Sequence, residues 1–121
     1  MNIVKLNKDI KTVIKYYKLK YQMCDLDINF LFDKTKILYK KIKYCLEFLL
    51  INKKYLYITS CLIILKFIND DMIFNSDWSN IFKIPLFMIN KIECDILKRC
   101  DYNVFQIVKT KQFSFKNYFK L

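Results

Sequence analysis

The sequence contains no glycine, no histidine and no alanine, and only one proline. Without glycine there is no Gly-rich phosphate loop, no dinucleotide fingerprint and no nucleophile elbow, since each needs a backbone position where a Cβ would clash. Without histidine the usual general base and the commonest metal ligand are both missing. These absences argue against an enzyme and against a cofactor. What is present is enough for one core: 121 residues, 55% hydrophobic and 27% charged, fit a single folded domain and not a disordered tail.

The five cysteines, Cys24, Cys45, Cys61, Cys94 and Cys100, are odd in number and never spaced as CxxC. That pattern argues against a disulfide framework and a structural zinc site, and all five are expected to be small buried hydrophobes in a reducing compartment. Glu47, Lys53, Lys54 and Lys66 interrupt the most apolar region before it reaches the roughly 18 uninterrupted residues of a membrane span. The first residues are too short an apolar stretch for a signal peptide. The expectation is a soluble protein of the cytoplasm or nucleus, with no membrane partner and no small-molecule substrate.

The net charge of +11 comes from 22 Lys and Arg against 11 Asp and Glu. Residues 1–54 hold 13 lysines and 5 acids, and residues 104–121 hold 4 lysines and no acid, so the excess sits at the two ends. By itself this suggests an acidic partner such as nucleic acid. Arg99 is the lone arginine, however, and base readout and phosphate clamps favour the guanidinium fork, so the lysines read as a solvated surface with non-specific affinity for polyanions.

Ile10, Val13, Ile14, Tyr17 and Tyr21 recur at helical spacing and predict a first amphipathic helix over residues 7 to about 22. Residues 24–32 read as a connection. Asp33 is placed to cap a second helix with the stripe Leu38, Ile42, Cys45, Leu46 and Leu49, and with Lys36, Lys40 and Lys43 outward. After a break at residues 52–54, the run 55–67 is apolar on nearly every face, as in a helix surrounded by others. Asn69, Asp70 and Asp71 end it, and Asn75, Ser76 and Asp77 are candidate caps for a short helix through Phe82. Pro85 suits the first turn of a last helix running to Arg99, with Ile89, Ile92, Ile96 and Leu97 inward. A basic aromatic tail follows, in which Phe113, Phe115, Tyr118 and Phe119 alternate with lysines. The expected architecture is all-α, divided into an N-terminal helix and connection (1–32), a helical core (33–105) and the tail (106–121).

Several motifs carry more than periodicity. The segment from Ser60 to Asp71 is an apolar run that closes in Lys66-Phe67 and is followed by acidic residues, and it resembles the end of the third helix of a cyclin box. Asn75, Ser76 and Trp78, then Asn90-Lys91-Ile92-Glu93, then residues 100–105 resemble the Ser-Asn, Asn-x-x-Glu and Leu-Asp-Phe-x-Leu-Phe signatures of the P/U-type cyclins. The resemblance implies a single five-helix cyclin box with an apolar third helix. It also implies a regulatory subunit that docks on the C-helix of a cyclin-dependent protein kinase and activates it in the cell cycle. Lys66 and Glu93 then fall on the family's kinase-bonding lysine and glutamate, and Phe67, Leu97, Tyr102 and Val104 on apolar positions that pack against the same helix. One departure is local: Phe82-Lys83-Ile84-Pro85 stands where these cyclins usually carry Gly-Gly.

The residues also admit other roles. A lysine ending an apolar helix can snorkel, and Glu93 can pair with Lys66 inside the free protein. Asp70 and Asp71 are neighbours on a loop whose carboxylates would point apart, which suits solvent better than catalysis. Trp78 is expected in the core. The alternative function is a cyclin-like nucleic-acid or transcription-complex module, on which the tail aromatics could stack bases. A degenerate cyclin that binds without activating is a further variant.

Overall fold

The computed structural model describes residues 1–21, 27–69, 73–101, 103, 104, 106 and 107. Among them are five α-helices and no strand: α1 (Ile3–Tyr21), α2 (Ile28–Ile42), α3 (Lys53–Ile68), α4 (Asn75–Phe82) and α5 (Leu86–Arg99). A 3-10 turn at Leu46–Phe48 lies between α2 and α3. The all-α class is therefore as expected. The Asp70–Asp71 pair, Cys24, Tyr102 and the tail aromatics lie outside the described residues.

Helix α3 is the hub. Its ten consecutive residues from Leu56 to Leu65 are all buried, which only a helix packed on every side can achieve. It packs against α2 and α5, and α4 packs against α5. Asn52 starts it, its side chain accepting the Lys54 amide at 2.8 Å, so Lys53 and Lys54 belong to the helix and not to the break before it. Ser60 Oγ satisfies itself by donating to the Leu56 carbonyl at 2.8 Å.

Helix α1 begins four residues earlier than expected because Asn2 Oδ1 accepts the Lys5 amide at 3.1 Å. Leu6, Ile10, Val13, Ile14 and Tyr17 form its buried face. The Tyr17 hydroxyl donates to Asp77 Oδ2 at 3.3 Å, tying α1 to α4. Trp78 is fully buried against Phe82, with ring centroids 5.3 Å apart.

Other expectations need correction. Asp27, not Asp33, caps α2: its carboxylate accepts the Phe30 amide at 3.1 Å, so most of the supposed connection after Asp27 is already helix. The expected stripe fails at its end. Helix α2 stops at Ile42, and the tighter turn of the following 3-10 segment swings Phe48 into the core while Leu46 and Leu49 face solvent. Burying one phenylalanine recovers much of the apolar area those leucines forgo. Pro85 is the N-cap of α5 and lies just before its first turn. Among the cysteines, Cys61 and Cys100 are buried, but Cys45 is half-buried and Cys94 is exposed, because it lies about 200° around α5 from the buried Ile92.

Lacking glycine, the chain puts other residues into left-handed backbone. Lys83 (φ 59°) ends α4, and Asp101 (φ 52°) follows α5. Both are positions where glycine would avoid a Cβ clash. Lys83 makes its turn without glycine, and Ser79 Oγ braces it by donating to the Ile84 carbonyl at 2.6 Å. Lys34 departs from the solvated-lysine reading. It is fully buried on α2, with Nζ donating to the Ile107 carbonyl at 3.3 Å and standing 5.1 Å from the Phe30 ring centre. No helix among the described residues is long and apolar enough to cross a membrane.

Candidate functional site

Residue 66 ends the buried run of α3, where the chain emerges from the core. Ile63 is still covered, Lys66 is half-buried and Phe67 is 44% exposed. On α5, Ile89, Ile92 and Ile96 face α3, which turns Glu93 and Leu97 toward its exposed end. Val104, beyond the α5 turn, closes the far side. Ile63, Lys66, Phe67, Glu93, Leu97 and Val104 line one groove of about 270 Å³. Five of the six residues singled out by the motifs are thereby brought together, and the sixth, Tyr102, is outside the described residues.

A polar network closes the rim. Lys66 Nζ donates to Glu93 Oε2 at 2.8 Å and to Asn75 Oδ1 at 2.6 Å. Asn75 Nδ2 donates to Glu93 Oε1 at 2.9 Å and to Asn90 Oδ1 at 2.8 Å. The Lys66 and Glu93 side chains are 32% and 17% exposed, so the pair is partly shielded and open to solvent on one side. Lys66 and Glu93 are thus paired with each other within the chain.

Asn75 was expected to help cap α4 and does not. Phe74 occupies the N-cap without a side-chain bond, while the Asn75 amide turns toward Lys66, Asn90 and Glu93. Sequence reasoning missed Ile63, Asn75 and Asn90 as members of the site. The i, i+3 spacing of Asn90 and Glu93 places them on one face of α5, but nothing local says that a second amide, from α4, will reach them.

The groove has an apolar floor and a charged edge, and its volume suits one or two inserted side chains better than a cofactor. Among the described residues no group of His, Cys, Asp and Glu could hold a metal ion. A larger hollow of about 640 Å³ is lined by Glu47, Lys91, Asp95, Lys98, Arg99 and Asp101, but opposite charges meet there in two ion pairs, Lys91–Asp95 at 3.0 Å and Arg99–Glu47 at 3.9 Å. It offers no apolar anchor.

Searches of curated proteins and of solved structures returned no match. The family model described as Cyclin matches residues 5–104, from the first turns of α1 through α5 to Val104 at the groove's far wall. With that match over most of the chain, and five helices arranged about an apolar third, the chain belongs to the cyclin family.

Proposed function

We propose that the chain is a P/U-type cyclin whose single box binds a cyclin-dependent protein kinase inside the cell and activates it, with the kinase C-helix lying across the groove between α3 and α5. It acts by binding and carries out no chemistry. The observation that supports this reading is the meeting of Lys66, Phe67, Glu93, Leu97 and Val104 in one groove. A helix laid in such a groove buries apolar anchors on Phe67 and Leu97, and a few charged groups at the rim fix its register.

The test is association with purified cyclin-dependent kinases. Glu93→Ala and Lys66→Ala should each weaken binding and kinase activation while leaving helix content near wild type. Truncating one member of a charged contact that becomes buried costs about 2 to 5 kcal/mol, much of it from the partner left unpaired. Leu97→Ala, which removes a half-buried anchor, should weaken binding with a smaller loss of stability than a core truncation such as Leu62→Ala. If both charge variants bind as wild type does, the docking reading fails. A preferred nucleic-acid sequence that survives physiological salt would favour the transcription-module alternative instead.

A further inference from the structure

We infer that Asn75 is a positioning residue for the docking pair: its amide fixes Lys66 and Glu93 in the arrangement that the kinase meets. The inference rests on the proposed reading of this groove as the kinase-docking site. The amide orientation is determined by its surroundings. Lys66 is donor-only and must meet the amide oxygen, while the Glu93 carboxylate accepts and takes the amide nitrogen. A flipped amide would set its nitrogen against the Lys66 ammonium and its oxygen against the Glu93 carboxylate, and in the orientation found the nitrogen also donates to Asn90 Oδ1.

Lys66 and Glu93 arise from different helices on long side chains that are partly exposed, so a two-member pair would sample several rotamers. Asn75 supplies a short third corner from α4. That corner is itself rigid, because Trp78 and Phe82 bury α4 in the core and Tyr17 bonds Asp77 in its first turn. With two of its three N–H groups engaged, Lys66 keeps one for a partner, and each Glu93 oxygen keeps a lone pair. Asn75 thus lowers the ordering cost of binding without touching the kinase itself.

The test measures dissociation constants by calorimetry for wild type, Asn75→Ala, Asn75→Asp, Lys66→Ala and Glu93→Ala against a panel of purified cyclin-dependent kinases. The temperature is one at which circular dichroism shows every variant folded. Asn75→Asp is nearly isosteric and still accepts from Lys66, but it cannot donate to Glu93 or Asn90 and sets a second carboxylate beside Glu93. Both Asn75 variants should bind about tenfold more weakly than wild type. A merely structural Asn75 would lower the melting temperature and leave the affinity of the folded protein unchanged. Asn75 variants that bind within twofold of wild type, while Lys66→Ala and Glu93→Ala lose binding, would overturn this inference alone. If the Lys66 and Glu93 variants also bind normally, or no kinase in the panel binds, the docking reading falls and the inference with it.

Discussion

At the residue scale, two weak acids sealed beside each other tie folding to pH. The Cys61 thiol is fully buried and burial pushes it up to about 12, opposed by a hydrogen bond with Thr35. Tyr57 is likewise pushed up to about 12, first by burial and then by Cys61, against the lowering effect of its hydrogen bond to Asn7. Both groups are held neutral by the fold, with folded values above the unfolded ones near 9 and 10. Their contribution is therefore fully present below pH 9 and is lost as pH climbs from about 9 toward 12. With no histidine in the chain, no imidazole adds a step between pH 5 and 8. Melting temperature followed by circular dichroism should be nearly flat from pH 6 to 8.5 and then fall. Cys61→Val should flatten the start of that fall, and an unchanged profile would show that the buried thiol is not its source.

At the scale of elements, the caps decide where helices begin. Asp27→Ala and Asn52→Ala each remove a side-chain acceptor from the first turn of α2 or α3. Each should cost about 1 kcal/mol, read as a fall of a few degrees in melting temperature. A neutral Asp27→Ala would show that this cap contributes little to stability. The helical core of α3 could be read directly from its sequence, because a run apolar on every face has few alternatives at that length. Lys66, Phe67, Glu93, Leu97 and Val104 are singled out in the sequence only by the resemblance, whose motifs are local, and their meeting in one groove is visible only in the fold. What could not be read depends on competition between distant segments. Phe48 is buried while Leu46 and Leu49 face solvent, an outcome the local apolar pattern does not distinguish, and the alternating polar residues before Asp33 hide the face on which Leu31 and Phe32 pack. Asn75 is the clearest case: an asparagine at a helix start is a natural cap, and only the tertiary approach of Lys66 and Glu93 diverts it.

At the scale of the whole molecule, the charge is arranged to leave the groove free. Lys5, Lys8, Lys11, Lys15 and Lys18 are all exposed on α1, spaced three or four apart as one basic stripe, and Lys5 is the member paired with Asp9 at 3.4 Å. The groove lies between α3 and α5, where Lys66 is neutralised by Glu93. A stripe of flexible ammonium groups binds polyanions through counterion release, without the guanidinium forks that read bases. Binding to duplex DNA should therefore be weak at physiological salt, with a dissociation constant in the range of about 1 to 100 µM, and indifferent to sequence. Replacing Lys8, Lys11 and Lys15 together by Glu should abolish most of it and make the salt dependence shallower, because fewer phosphates are neutralised. The same triple variant should leave kinase association intact, since no member lines the groove. Filter binding across a salt series, run beside the kinase titration, separates the two surfaces. A triple variant that loses the kinase as well would mean that α1 belongs to the docking interface, and the charge excess of the N-terminal half would then have a specific partner.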